Sequence, residues 1–258
     1  EVSLSVNAKS VGPLPNFWSE CVGSGHAALW LRKDWADQLE LAHSLGGFRY
    51  VRGHGVLDED VMFYSSGQTY YNALRAYSTV LAAGMKPLVE LSFTPNPLAS
   101  GSQTCFHYMG NCSPPKDMDE YFEFIHNFVQ ALKDHFGEDE VATWLFEVYN
   151  EPDLNHAFSQ QSYFAMYNAT AHAVKSVSPK FSVGGPATAD MRWLPDLANY
   201  SRHIAAPLDF LSLHSYPSDH GKAAETDAQF MFVDRAAKQA RSLGLPLYIT
   251  EWSSSPSP

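Results

Sequence analysis

Seven short runs of β-branched and aromatic residues punctuate the chain: 17–23, 48–54, 86–93, 141–150, 181–187, 208–217 and 245–252. The segments between them carry apolar residues at helical rather than alternating spacing. In 119–136, Tyr121, Ile125, Phe128 and Leu132 follow one another at intervals of four, three and four, which places them on one face of a helix. Gly46-Gly47, Gly84 and Gly244 each stand just before the next strand-like run, where a glycine stops a helix by adopting the left-handed conformation. Strand, helix and strand in strict alternation is the pattern of βα units and a parallel sheet. The predicted fold is therefore α/β, a (β/α)8 TIM barrel. Only seven strands are legible where closure takes eight, so either residues 2–6 add a strand outside the barrel or the chain stops after strand seven. The second is the preferred expectation. A doubly wound open sheet is the rival, but Gly23-Ser24-Gly25-His26 is a poor phosphate-binding turn.

Size and charge narrow the picture. The 258 residues are expected to form a single catalytic domain spanning 1–258. Lys and Arg number 17 against 28 Asp and Glu, a net charge of −11, which disfavours nucleic acid and anionic membranes as partners. A neutral carbohydrate fits better, since sugar rings pack their C–H faces on aromatic side chains and these make up 14% of the chain. No apolar run approaches the roughly eighteen residues of a membrane span. Glu1 in place of Met is the expectation for a chain from which a leader or a tag is already gone. Cys105 and Cys112 sit close enough in sequence to pair and leave Cys21 over; three reduced thiols are the alternative. Sequons at Asn111, Asn168 and Asn199 lean toward a secreted, extracellular protein, with a cytoplasmic one as the alternative.

Barrel enzymes place their reactive groups at the C-terminal ends of strands. Here those ends are Arg52-Gly53-His54, Asn150-Glu151-Pro152, His214-Ser215-Tyr216-Pro217 and Thr250-Glu251-Trp252, with Glu90 as a further acidic group after the third strand. Two glutamates at one mouth suit glycoside hydrolysis, which takes a proton donor for the leaving oxygen and a carboxylate for the anomeric carbon. If one carboxylate stays ionised, its charge holds the neighbour's proton more tightly, so acid and nucleophile coexist at one pH. Arg52 is expected to orient a catalytic carboxylate, because a buried guanidinium requires such a partner. Each residue also has a plainer reading: Asn-Glu-Pro as a surface turn, Glu251 as half of a strand-end ion pair, His54 as a strand cap, His214 as a core histidine and Tyr216 as packing.

The segments Gly47-Phe48-Arg49-Tyr50-Val51-Arg52-Gly53-His54-Gly55, Leu98-Ala99-Ser100-Gly101, Pro114-Pro115-Lys116-Asp117, Thr143 to Pro152 and Ile249-Thr250-Glu251 resemble glycoside hydrolase family 39. That family holds β-D-xylosidases and α-L-iduronidases and belongs to a retaining clan whose acid/base and nucleophile end strands four and seven. The resemblance implies Glu151 as acid/base, Glu251 as nucleophile, Asn150 as the partner of the sugar 2-hydroxyl, and His54, His214 and Tyr216 as further sugar-binding residues. It implies no cofactor and no metal. Family members continue past the nucleophile into an eighth strand, its helices and usually a β-sandwich; the expectation is that this chain lacks them, as a trimmed chain, a natural short form or a protein completed by another polypeptide.

The expected function is a retaining, exo-acting β-xylosidase working by double displacement. The alternatives are a sugar-binding barrel with little or no catalysis, and a relative acting on another glycoside such as an α-L-iduronide. A metal-dependent hydrolase has less behind it, because no His-x-His or His-x-x-x-His spacing falls at a strand end. Oligomeric state is not legible.

Overall fold

The computed structural model describes residues 12, 16–61, 69–154, 158–216 and 226–253; the strand considered for 2–6, the end of the Ser/Pro tail and Pro217 lie outside them. Strands β1 (Cys21–His26), β2 (Tyr50–His54), β3 (Lys86–Glu90), β6 (Leu145–Glu147), β7 (Ser182–Thr188), β8 (Phe210–Ser215) and β9 (Leu247–Trp252) form one sheet in that order. All six pairings are parallel. Sequential order without reversal excludes the doubly wound alternative, whose order must switch direction. The sheet curls so far that Cα atoms of its two edges, β1 and β9, come within 8 Å. Between those edges lies a cleft of about 550 Å³, lined among others by Trp18, Cys21, Phe48, Tyr216 and Trp252. The result is a nearly closed seven-stranded parallel barrel. A small antiparallel hairpin, β4 (Thr104–Cys105) with β5 (Gly110–Asn111), stands apart from it.

Helices α1 (Lys33–Gly46), α2 (Tyr71–Ala82), α3 (Met118–Phe136), α4 (Glu138–Val141), α5 (Gln160–Val177), α6 (Leu194–Ile204) and α7 (Thr226–Leu243) fill the connections. In α3 the expected stripe is present and wider: Tyr121, Phe124, Ile125, Phe128, Val129 and Leu132 are all buried, and the helix packs mainly on α5. Asp117 caps its start by accepting from the backbone N–H groups of Asp119 and Glu120, satisfying donors that have no partner inside the helix. Gly47, Gly84 and Gly244 have φ of 66°, 82° and 75°, the left-handed conformation expected of glycines at these stops. No helix among the described residues is long and apolar enough to cross a membrane.

Alternation along the strands builds the barrel in layers. Tyr50, Leu88, Leu145 and Phe210 cluster inside with Cys21 and Tyr248 packed against them. Two residues further along the same strands come Arg52, Glu90, Glu147, Ser212 and Thr250, all buried. The intervening Val51, Val89, Phe146 and Val183 face outward into the core beneath the helices. An apolar plug thus closes one end of the barrel and a charged layer sits above it.

The strands are shorter than predicted. Residues 17–19 form a 3₁₀ turn, 138–141 a helix, and the fourth barrel strand is only Leu145–Glu147. Glu151 therefore does not end a strand; it lies four residues beyond one, in a loop where Tyr149 and Glu151 have φ of 73° and 43°. Aromatic and β-branched residues there suggest strand, but positive φ breaks the extended backbone.

Candidate active site

The charged layer is organised by Arg52, which is 2% exposed. Its Nε donates to Glu147 Oε2 at 2.6 Å and its Nη1 to Glu251 Oε1 at 2.7 Å. Nη2 reaches Glu90 Oε2 at 2.8 Å and Asn150 Oδ1 at 3.0 Å. A planar guanidinium offers five donors in fixed directions, so one Arg can fix three carboxylates and an amide at once. The anions are braced from behind: Thr250 Oγ1 donates to Glu147 at 2.8 Å, and Ser92 and His54 Nδ1 donate to Glu90.

Glu251 reaches this layer by a sheet irregularity. Plain alternation from Tyr248 would turn Thr250 inward and Glu251 outward. The register instead slips between Ile249, paired with Leu213, and Glu251, paired with His214. Such a bulge re-aims a side chain, and here both Thr250 and Glu251 face the barrel. Glu251 Oε2 accepts from the Tyr216 hydroxyl at 2.7 Å, and His214 Nδ1 and His54 Nε2 each stand 3.6 Å from the carboxylate. Burial alone would raise its pKa, but His214, Arg52, His54 and the Tyr216 hydroxyl outweigh that and hold it at about 2. The same carboxylate pushes the Tyr216 hydroxyl up, adding to the effect of burial.

Glu151 approaches from the loop after β6. Its backbone N–H donates to Ala187 O at 2.9 Å, and its carboxylate takes a 2.8 Å hydrogen bond from His214 Nδ1. One nitrogen therefore faces both glutamates, and an oxygen of Glu151 lies within 4.8 Å of one of Glu251. Both acids are partly open to solvent, with side chains 22% and 18% exposed.

The remaining predicted residues fall at the same mouth but in different postures. Asn150 is buried, and with Oδ1 held by Arg52 its Nδ2 end is the donor. His54 is raised above the ordinary histidine range: burial opposes this, but Glu90 dominates. His54 and Tyr216 line the cleft on the Glu251 side. His214 has a fully buried side chain, so its contacts are the two glutamates rather than the cavity walls. Arg52 orients Glu251 as anticipated, and Glu90 is scaffold: burial opposes its ionisation, but Arg52 and His54 hold its pKa below the usual value.

Glu147 escaped the sequence reading. An acid flanked by Phe146 and Val148 in a buried strand was the available signal, since such a group must face a cation. Phe106 of the β4–β5 hairpin was also missed; it stacks on His54 with ring centroids 5.5 Å apart. The hairpin is closed by the Cys105–Cys112 disulfide, which resolves the pairing left open by sequence and leaves Cys21 free. Asn111 is buried and spends its amide on Asn96 Oδ1 and Gly101 O, so this sequon is engaged inside the fold.

Three clusters of metal-ligand type exist among the described residues: His26–Asp58–Asp60, His54–Glu90–Glu251 and Glu151–His214–Glu251. In each, a ring nitrogen already hydrogen-bonds a carboxylate of the cluster.

The chain is 37% identical to a beta-xylosidase of Caldicellulosiruptor saccharolyticus over 100% of its own length and 57% of the relative's. To a beta-xylosidase of Geobacillus stearothermophilus it is 38% identical, covering 93% and 54% respectively. The crystal structure of a monomeric beta-xylosidase from Caulobacter crescentus CB15 superposes with a TM-score of 0.88 at 33% identity, covering 96% of this chain and 55% of that one. The chain thus spans little more than half the length of these relatives. The sequence profile of Glycosyl hydrolases family 39 matches residues 2–258, and the chain belongs to that family.

Proposed function

We propose that the protein is a retaining glycoside hydrolase, an exo-acting β-xylosidase, in which Glu251 is the nucleophile and Glu151 the acid/base. The observation that carries this reading is the pair itself: two carboxylates with oxygens within 4.8 Å, one of them held ionised at a pKa of about 2. Retaining pairs stand about 5–5.5 Å apart, too close for a water to be activated between carboxylate and sugar as inversion requires.

In the first step a Glu251 oxygen attacks the anomeric carbon while Glu151 gives its proton to the departing glycosidic oxygen. Bond formation to carbon converts Glu251 into a neutral ester. Glu151, now without its proton, then takes one from the water that cleaves the ester. Arg52, Tyr216 and His54 keep Glu251 aligned before attack. Asn150, with its amide donor end free of Arg52, is placed to bind the sugar 2-hydroxyl, a contact that counts most in the transition state.

A neutral sugar is favoured over a uronate. Among the described residues lining the two cavities beside the glutamates, Arg52 is the one Lys or Arg, and its guanidinium is committed to three carboxylates. The names of the relatives support xylose as that sugar. The disulfide supports an extracellular site of action. Release of nitrophenol from a panel of aryl glycosides tests the reading. The β-D-xyloside is expected to be turned over by the 258-residue chain and not by Glu251→Ala. Turnover surviving in the variant refutes the assignment; sugar binding with no turnover by either protein points to a binding barrel instead.

A further inference from the structure

The loop that follows β2 brings Asp58 and Asp60 to His26, the last residue of β1, and one donor atom from each of the three lies within 4.8 Å of the others. The other two clusters of metal-ligand type share Glu251, whose charge Arg52 balances. Here no guanidinium stands by. Asp58 is 5% exposed, and its Oδ1 accepts from the Phe93 N–H at 3.1 Å. Its Oδ2 is buried and takes no hydrogen bond from any described residue. A buried carboxylate oxygen without a donor or a cation is costly enough to call for an explanation. Backbone crowds that oxygen: a Cβ on Gly55, whose φ is 72°, would fall 2.3 Å from it, and one on Gly110 3.0 Å. The same Gly55 point is 2.8 Å from His26 Nδ1 and Cε1, so two glycines let the chain close round an oxygen that faces the imidazole.

His26 supplies a second, independent signal. Its ring is buried and stacks on Tyr108 with centroids 4.0 Å apart. Nδ1 stands 3.2 Å from His54 O, and a carbonyl can only accept, so Nδ1 carries a hydrogen. Nε2 stands 2.7 Å from Asp60 Oδ2, which also accepts. A neutral imidazole has one hydrogen to give, so a further positive centre must lie between Nε2 and Asp60, a proton or a metal ion. A proton there satisfies Nε2 and Asp60 but leaves Asp58 Oδ2 bare; a metal ion satisfies all three. One ring nitrogen donating to a backbone carbonyl while the other points at carboxylates is also the posture of metal-bound histidines.

We propose that His26 Nε2, Asp58 Oδ2 and Asp60 bind one divalent transition-metal ion, zinc by ligand type, which ties the end of β1 to the loop after β2. Imidazole in the donor set favours zinc over magnesium, and a doubly charged ion cancels the two carboxylates. Tetrahedral ligands on zinc bonds of ~2.0–2.1 Å stand roughly 3.3 Å apart, so the gap between Nε2 and Asp60 must widen by about half an ångström. Asp60 has a side chain 50% exposed and can yield that much. None of the active-site glutamates takes part, so the ion's role is structural.

Calorimetric titration of the chelator-treated chain with zinc chloride, alongside thermal melts, tests the site in wild type, Asp60→Asn and Asp58→Asn. One ion is expected to bind per chain with micromolar affinity, and Tm should rise by roughly 5 °C at a hundredfold excess over Kd. Both variants should bind about tenfold more weakly or worse. Asp58→Asn adds a readout that simple damage to the fold does not imitate. Without zinc its Tm should equal or exceed that of wild type, because a bare buried carboxylate is gone, and with zinc it should fall below. Magnesium should neither bind nor raise Tm. No binding at about 1 mM zinc overturns the proposal. So does equal binding by wild type and Asp60→Asn, which places the ion elsewhere, or an Asp58→Asn protein less stable than wild type with and without zinc alike.

Discussion

The two glutamates at the mouth of the barrel are the same residue type placed in opposite mechanical settings. Glu251 is part of a strand, and both its oxygens are fixed, by Arg52 on one side and Tyr216 on the other. Glu151 hangs from a loop four residues past its strand, and the described residues give its carboxylate one close partner, His214. A nucleophile needs alignment and a permanent charge, and the Glu251 side supplies both before substrate arrives. An acid/base must gain and lose a proton within each turnover, and a carboxylate with few fixed donors does that at lower cost. In the proposed mechanism, rigid charge on one side and a proton carrier on the other divide the labour.

Removing each carboxylate in turn should break this contrast most forcefully. Glu251→Ala loses the covalent intermediate for every substrate, and turnover is expected to fall by roughly five orders of magnitude, about 7 kcal/mol in the barrier. Glu151→Ala should lose about 10²–10⁴-fold on xylobiose, whose alkoxide leaves poorly without a proton, and far less in the first step with a dinitrophenyl xyloside. Values of kcat/KM, which report the first step, for both variants on both substrates check the pair. Equal losses for Glu151→Ala on the two substrates would contradict its role as acid.

The difference in setting should also appear in stability. Arg52→Met leaves Glu90, Glu147 and Glu251 facing one another without their shared cation, and removing one partner of a buried ion pair costs about 3–5 kcal/mol. Urea denaturation should show a loss of that size, whereas Glu151→Gln, which breaks one hydrogen bond, should lose about 1 kcal/mol. Comparable losses would mean that the Glu251 side is not specially braced.

This division explains what was legible in the sequence. Parallel-barrel architecture shows in the alternation of strand and helix, and the α3 stripe and glycine stops were readable because they obey fixed periods. The two glutamates stand out as candidates by their place after runs of strand character, with the added weight of the family resemblance. Exact placement was not readable. Simple alternation points Thr250 inward and Glu251 away, and only the β8–β9 register slip reverses this for Glu251. The positive φ of Tyr149 and Glu151 likewise shortens a strand that side-chain type alone extends to Asn150. Glu147 was overlooked because it falls inside the expected strand 141–150 rather than at its end, and Phe106 because a hairpin of two-residue strands carries no periodic signal.

Acid offers a subtler separation of the two sides. The folded-state pKa of Glu251 is about 2 against an ordinary 4.5, a depressed value, so its contribution to stability is present above about pH 5 and is lost as pH falls toward 2. The amount is on the order of 3 kcal/mol for one group. Glu90 is shifted in the same direction and adds to the loss. His54, raised by Glu90, has the opposite sign: its contribution is complete below the ordinary histidine pKa and fades as pH rises through its folded value. Urea midpoints between pH 7 and 2 should therefore fall more steeply for wild type than for Glu251→Gln. Parallel curves would show that the charge on Glu251 is not stabilised by its neighbours.

The smallest effect concerns the hairpin on the Glu151 side. Cys105 and Cys112 close a loop with a sequence separation of seven, and the chain-entropy contribution of so short a loop is about 2 kcal/mol. The double variant Cys105→Ser/Cys112→Ser should lose that much and lower Tm by about 4 °C for a domain of this size. The hairpin touches the charge network around Arg52 at the Phe106–His54 stack but contributes no charge to it, so the steep acid dependence should persist. What should move is Phe106, freed of its brace, and with it KM for aryl xylosides, rising several-fold at nearly constant kcat for glycosyl fluorides that bring no ring. A drop in kcat for the fluoride would mean that the hairpin supports the rigid side of the site as well, and that the two regions are mechanically coupled.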